Sequence, residues 1–172
     1  MKSHWIALVA IAAASCAMAP GVAPYAGEEV REIKALAPDE VSSLLAGKGM
    51  GLAKAAELNG YPGPRHVLEL ADRLQLSGEQ REKTQALFAS MQTKAMSLGS
   101  ALVEEERGLD RLFAGKAATV EQVSASLARI GALQAQVRGA HLEAHLAQVL
   151  ILTPEQKAKY VELRGYGGAH SH

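Results

Sequence analysis

The fold is decided by a stretch that occurs twice in the chain, LQLSGEQREK at residues 74–83 and LILTPEQKAK at residues 150–159. Each copy has the features of a helix start, because Ser77 and Thr153 carry a hydroxyl oxygen that accepts a hydrogen bond from a free amide at the N-cap. A glutamine follows three residues later in each copy and can bond back to the cap amide, which closes a capping box. The two copies therefore predict two helices that begin in the same way.

The residues between the copies predict a helical hairpin. Residues 77–113 contain no proline, and their Leu and Met side chains recur with the three- and four-residue spacing of one helix face. Residues 114–116 predict a turn, and Thr119 begins a second long helix that ends near residue 151. The stripe predicted to face the packed side of this helix is Val120, Val123, Leu127, Ile130, Gln134, Val137, His141 and His145. Two long antiparallel helices with a short connection form an αα-hairpin. A short closing helix is predicted over residues 153–164.

The composition supports an all-α fold. The chain has two Phe, one Trp and four Tyr in 172 residues, so its core must be built from aliphatic side chains, as in helix packing. The 18 basic and 18 acidic side chains balance, which gives no electrostatic reason to expect a nucleic-acid partner. Since a hairpin with one apolar stripe per helix leaves apolar surface over, we expect a homodimer.

The first 19 residues have the pattern of a signal peptide. Lys2 precedes an apolar run at residues 5–14, which is too short to span a bilayer but suits the core of an export signal. Residues 17–19 read Ala-Met-Ala and offer a cleavage site. The alternative is a lipid anchor at Cys16, which follows a weak lipobox. In either case the protein is expected outside the cytoplasm, in a bacterial periplasm.

The mature chain divides into three predicted parts. Residues 20–63 form an N-terminal extension, residues 64–164 hold the helical hairpin domain, and residues 165–172 form a flexible Gly/His tail. Short helices are predicted at residues 28–37, 38–45, 52–58 and 66–74.

Two histidines on the second long helix are the main candidates for chemistry. His141 and His145 are four residues apart, so their rings project from the same side of the helix in a spacing that can present two imidazoles to one metal ion. A hairpin that closes near residue 116 places His141 opposite Met91 and Gln92. A thioether and two imidazoles favour zinc, copper or nickel. The alternative is a pair of histidines at the edge of a helix interface, hydrogen-bonded to Gln92 or to a partner subunit.

Other polar residues give weaker signals. His170 and His172 in the tail could add metal ligands or belong to a disordered end without a role. His66 is expected to make a local hydrogen bond. Glu105 falls within an apolar stripe, so we expect it to be paired across a dimer or exposed on a concave surface. The sequence shows no nucleophile–base pair and no phosphate-loop spacing, which predicts a protein that is not an enzyme and has no organic cofactor.

The repeated phrase resembles the LTxxQ motif of the Spy/CpxP group of periplasmic stress proteins. The two copies are residues 76–80 and 152–156, and they flank a long hairpin as in that group. The leader and the histidine-containing helix also resemble the heavy-metal-resistance relatives, the ZraP- and CnrX-like metal-binding proteins. The resemblance covers residues 64–164 and implies an all-helical, often dimeric periplasmic protein.

Two functions follow as alternatives. The first is a heavy-metal-resistance or sensor-like envelope stress protein that binds a transition metal through His141 and His145, with help from Met91 or the tail. The second is a holdase chaperone that shields unfolded client proteins without ATP, as the resemblance implies. A membrane sensor protein is a further possible partner.

Overall fold

The computed structural model describes residues 23–166, in which the regular secondary structure is helical, without strands. Residues 23–30 form turns within a separate compact unit, while residues 31–166 belong to the second unit. The described residues contain six helices: α1 Pro38–Leu45, α2 Lys54–Glu57, α3 Pro64–Glu69, α4 Gly78–Ala114, α5 Val120–Ile151 and α6 Pro154–Leu163. Within residues 23–166, none of these helices is both long and apolar enough to cross a membrane. The predicted leader and Cys16 lie outside the described residues.

The predicted hairpin is confirmed. Helix α4 has 37 residues and α5 has 32, and the two form the largest helix–helix contact of the fold. At 1.5 Å per residue, α4 is about 55 Å long. Both helices begin at the predicted caps, because Ser77 Oγ accepts from Gln80 N at 3.1 Å and Thr119 Oγ1 accepts from Gln122 N at 3.3 Å. The cap residues therefore determine where the long helices start.

The buried face of α5 differs from the predicted stripe in its first half. Val120 and Leu127, which were assigned to the packed side, are 78% and 53% exposed. The buried positions share one face of the helix, and they are Ser126, Ile130, Val137, Ala140, His141, Ala144, His145 and Gln148. The reason is that α5 packs through small side chains that allow close approach of α4, so its apolar residues do not all mark the interface.

An arm, residues 31–63, precedes the hairpin domain and packs on it. The helix predicted at residues 28–37 is wrong, because residues 31–36 form bends and turns. Ile33 is nevertheless 3% exposed and lies in the core with Leu102 and Val103 of α4. Pro38 disfavours a helical conformation at the residue before it, and Ala37 is extended at φ −69° and ψ 152°. The arm therefore inserts single side chains into the hairpin instead of packing as one helix.

Helix α1 approaches α4 at a glycine. A Cβ added at Gly99 would lie 2.3 Å from the carbonyl oxygen of Leu44. No side chain larger than hydrogen fits between these two backbones as they stand. The close contact buries Leu44 to 6% exposure and fixes the arm against the middle of α4.

The two copies of the repeated phrase bond to each other. Gln80 Nε2 donates to Gln156 Oε1 at 2.8 Å, and Gln156 Nε2 donates back to Gln80 Oε1 at 3.0 Å. Each Oε1 also accepts its own cap amide, from Ser77 at 3.1 Å and from Thr153 at 2.9 Å. We call this arrangement the glutamine clasp. The capping boxes were predicted from the sequence, and the clasp explains why the same phrase is needed twice.

Candidate functional site

The two candidate histidines lie on the packed side of α5, as predicted. His141 is 5% exposed and His145 is 8% exposed. Histidine is intermediate in burial among the residue types, so two rings that are both almost fully buried need polar partners or stay neutral. The surroundings of the two rings therefore decide what they can do.

A cavity of about 630 Å³ lies between the hairpin and the second half of the arm. From the hairpin it is lined by Met91, Gln92, His141 and His145, so the predicted opposition of α4 and α5 at this level is confirmed. From the arm it is lined by residues between Gly47 and Gly63. Cavities of this size are typical of small-ligand sites.

His145 has a fixed orientation. Its Nδ1 lies 2.7 Å from the carbonyl oxygen of Tyr61 in the arm. Because a carbonyl oxygen can only accept, Nδ1 carries the proton, and the lone pair of a neutral ring is then on Nε2. The ring is also held by Gly63, where an added Cβ would lie 2.8 Å from Cε1. A backbone hydrogen bond of this kind is what orients histidine ligands in metal sites.

One ring nitrogen of His141 is buried without a hydrogen-bond partner in residues 23–166. It is Nε2, so the predicted alternative of a bond to Gln92 does not describe this nitrogen. Burial lowers the pKa of His141, and the nearby His145 lowers it further. The ring is therefore neutral around pH 7 and can offer a lone pair.

Glu57 is the residue that sequence reasoning missed. This carboxylate of α2 is 9% exposed, and its Oε1 accepts from Tyr160 Oη at 2.6 Å, Tyr166 Oη at 3.1 Å and Arg164 Nε at 3.2 Å. Its Oε2 is buried without a hydrogen bond in the described part of the chain, 3.8 Å from His145 Nδ1. Burial and the bond to Glu57 raise the pKa of Tyr160, which keeps the phenol a donor. We call these four side chains the Glu57 cluster.

The Glu57 cluster corrects the predicted start of the flexible tail, residues 165–172. Tyr166 was assigned to the flexible tail, but its hydroxyl accepts from Arg164 Nη2 at 3.0 Å in addition to its bond with Glu57. The Arg164 guanidinium lies 5.5 Å from the centre of the Tyr166 ring, within the range of a cation–π contact. Tyr166 therefore belongs to the packed part of the protein.

Basic side chains surround the mouth of the cavity. Lys48, Lys54 and Arg65 are exposed residues of its lining, whereas Glu57 is the one carboxylate that the described residues place there. Since Glu57 already faces Arg164, the lining carries a net positive charge. This field attracts anions and weakens the attraction for a multiply charged cation.

The remaining candidates have other partners. His66 Nδ1 lies 2.8 Å from Glu69 Oε2, which confirms its local role. Glu105 accepts from Arg129 Nε at 2.9 Å and so has a partner in the same chain, while its pairing across a dimer or exposure on a concave surface stays a prediction. The buried carboxylate of this region is Glu106, at 8% exposure, and burial raises its pKa.

Part of the predicted metal-ligand set lies within the described residues. Met91, His141 and His145 are brought to one cavity, while His170 and His172 lie outside the described residues. Within residues 23–166, no group of three or more His, Cys, Asp or Glu side chains is arranged closely enough to hold an ion. An ion at this cavity would need the thioether, a tail ligand or a small movement of Glu57.

Comparison with known proteins gives one match. A family model described as LTXXQ motif family protein matches residues 64–164, which is more than half of the chain. No curated protein and no solved structure matches the chain. The matched range includes the hairpin and the glutamine clasp, whereas the arm with Glu57 lies before it.

Proposed function

This chain belongs to the LTXXQ motif family, the family of the Spy/CpxP and ZraP-like periplasmic proteins, and we propose that it is an exported envelope stress protein that binds a transition metal ion. The resemblance predicted from the two motif copies is confirmed over residues 64–164. The metal site is assigned to His141 and His145, with Met91 as a thioether ligand. The proposal assigns no catalytic activity and no organic cofactor.

The observation that carries the proposal is a pair of buried polar atoms in one cavity. His141 Nε2 and Glu57 Oε2 both lack a hydrogen bond within residues 23–166, and both residues line the cavity beside His145. A buried polar atom without a partner costs about 1–3 kcal/mol. An ion coordinated near these groups would recover that free energy, which supports a cation as the natural occupant.

The charges around the cavity favour one of the candidate metals. Imidazole and thioether ligands suit zinc, copper and nickel. Because basic side chains outnumber the single carboxylate in the described lining, a singly charged ion meets less repulsion than a doubly charged one. Copper(I) combines a single charge with a preference for thioether ligands. We therefore place copper(I) first, with His170 and His172 of the tail as proposed additional ligands.

Calorimetric titration of the chain without residues 1–19 tests the site. Copper(I), zinc and nickel are each titrated into the wild type and into a His141→Ala/His145→Ala variant. Stoichiometric binding that the double variant loses supports the proposal, and His66→Ala is a matched control because this histidine borders the same cavity but pairs with Glu69. Binding that is absent, or equal in the wild type and the double variant, contradicts it.

A His170→Ala/His172→Ala variant separates the tail from the cavity. If the tail supplies ligands, this variant binds the ion more weakly than the wild type but keeps the stoichiometry. If the tail binds metal by itself, the variant loses a second, weaker phase of the titration and keeps the first.

The second candidate is an ATP-independent holdase, and exposed leucines favour it. Leu146 and Leu150 are 56% and 86% exposed, and their four-residue spacing places them on one side of α5. Such a surface suits an unfolded client, a membrane sensor protein or a second copy of the chain. A Leu146→Ser/Leu150→Ser variant should suppress aggregation of a denatured client less than the wild type does. Light scattering of both proteins tests the proposed homodimer.

A further inference from the structure

The segment over the histidines is held mainly by polar contacts. Residues 47–63, which we call the lid, form one wall of the cavity. Met50 and Leu58 in the lid are 44% and 60% exposed, while Leu52 packs against a core cluster and Pro62 is fully buried near the end of the lid. A segment with so few buried apolar contacts opens at a lower free energy than the helices beneath it.

Glycines occur along the lid where the backbone turns. Gly47, Gly51 and Gly60 have φ values of 61°, 79° and 79°, a left-handed conformation that other residues rarely adopt. Gly47 is also in tight contact with α4, because an added Cβ would lie 2.9 Å from the carbonyl oxygen of Gln92. The lid therefore leaves the hairpin at a fixed point and bends at glycines beyond it.

Glu57 is the strongest attachment of the lid. Its Oε1 receives three hydrogen bonds from the end of the chain, with Tyr160 Oη the shortest at 2.6 Å and fully buried with its ring. Hydrogen bonds to a charged group contribute more than neutral ones. The second attachment is the bond between His145 and the Tyr61 carbonyl oxygen. Both attachments act on the wall that separates the two imidazoles from solvent.

Access to the histidines requires this wall to move. Both rings line the cavity, but they are 5% and 8% exposed, and His141 Nε2 is closed off from solvent, so a hydrated ion in the cavity does not reach this nitrogen. The hairpin on the other side of the cavity is the packed core of the fold, so the lid is the wall that can give way. We propose that residues 47–63 open as a lid, latched by the Glu57 cluster, and that this opening controls exchange of the cavity's occupant with solvent.

The latch also couples the occupant to the lid. The lid carries the Tyr61 carbonyl oxygen, which holds the His145 ring through Nδ1 at 2.7 Å, so an ion bound at Nε2 of this ring would sit on an imidazole that the closed lid orients. Any such ligand stabilises the closed lid by mass action. The identity of this ligand rests on the proposed function, whereas the opening of the lid does not depend on it.

Opening is measured first without metal, by tryptic cleavage after the exposed lid residues Lys48 and Lys54 and by hydrogen exchange of lid amides. Tyr160→Phe keeps the ring and removes one latch bond. Tyr61→Phe is the matched control, because its hydroxyl makes no hydrogen bond to any described residue. We expect lid cleavage and exchange to rise about tenfold in Tyr160→Phe, as expected for one charge-assisted hydrogen bond. Cleavage after Lys116 in the hairpin turn should not change.

Two results overturn the lid. One is equal lid exchange in Tyr160→Phe and Tyr61→Phe, which shows that Glu57 is not the latch. The other is an equal rise over the lid and both long helices, which shows global unfolding in place of a local opening. An Arg164→Met variant removes a different hydrogen bond to Glu57, and it should also raise cleavage and exchange in the lid alone.

Copper(I) exchange then tests what the lid controls. Tyr160→Phe should speed both uptake and chelator-driven release of copper(I) about tenfold and change the affinity much less, whereas unchanged rates contradict the gating role. In the wild type, saturating copper(I) should slow lid exchange, and the His141→Ala/His145→Ala variant should lose this slowing. If the wild type binds no copper(I), the proposed metal function fails while the metal-free exchange still decides the lid.

Discussion

Gly99→Ala is the sharpest test of the packing between the arm and the hairpin. An alanine normally stabilises an exposed helix position by about 1 kcal/mol relative to glycine. At Gly99 the new Cβ would lie 2.3 Å from Leu44 O and 2.8 Å from Leu44 C, both backbone atoms. Helix α1 must then retreat by about an ångström, and forcing extra volume into a packed contact costs about 1–3 kcal/mol. We expect the penalty to outweigh the gain.

Gly131→Ala is the matched control within the second long helix. Apart from the backbone of its own helix, no described atom lies within 4 Å of a Cβ added there, so the helix propensity gain of about 1 kcal/mol is retained in full. The two variants should therefore differ by the packing penalty, about 1–3 kcal/mol in urea unfolding, or by roughly 2–12 °C in Tm for a domain of this size. Hydrogen exchange should rise in α1 of Gly99→Ala alone. Equal stability of the two variants would refute the contact between α1 and α4.

Three further predictions concern the clasp, the buried carboxylate and the site. Gln80→Ala and Gln156→Ala should each lower the free energy of unfolding by about 1–3 kcal/mol, and the double variant should lose less than the sum because the two side chains bond to each other. Glu106→Gln should be more stable than the wild type at pH 7. Burial raises the pKa of Glu106 in the folded state, so the wild type loses stability as the pH rises above the pKa that Glu106 has in the unfolded state. Unfolding curves measured below that unfolded-state pKa should show no difference in stability between the two proteins. Gly63→Ala should shift the NMR signals of the His145 ring, because the new Cβ would lie 2.8 Å from Cε1, whereas Gly49→Ala should leave the His141 ring in place with its Cβ 3.7 Å from Nδ1.

Much of the hairpin can be predicted from the sequence because its signals are local. A cap at Ser77 or Thr119 and a helical period are properties of neighbouring residues, and the two long helices begin and end where these signals place them. The interface of α5 is harder to predict, since small residues such as Ala140 and Ala144 pack as tightly as leucine but do not stand out as an apolar stripe. Leu127 was assigned to the wrong face for this reason.

The arm and the candidate site depend on contacts between distant residues. Glu57 lies in a four-residue helix whose sequence, Lys-Ala-Ala-Glu, is typical of a solvated surface. Its burial results from Tyr160 and Tyr166, more than 100 positions later in the chain, and nothing near Glu57 indicates this. The histidine pair could be predicted because both rings belong to one helix.

The glutamine clasp determines how the domain would carry a mechanical load. Gln80 and Gln156 join the first turns of α4 and α6, and the whole hairpin lies between them in the chain. Tension applied to the two ends of the domain therefore reaches the clasp before it reaches either long helix. At small forces the clasp should bear the load, so that α4 and α5 are not stretched. Once its hydrogen bonds break, the whole hairpin should extend in one step.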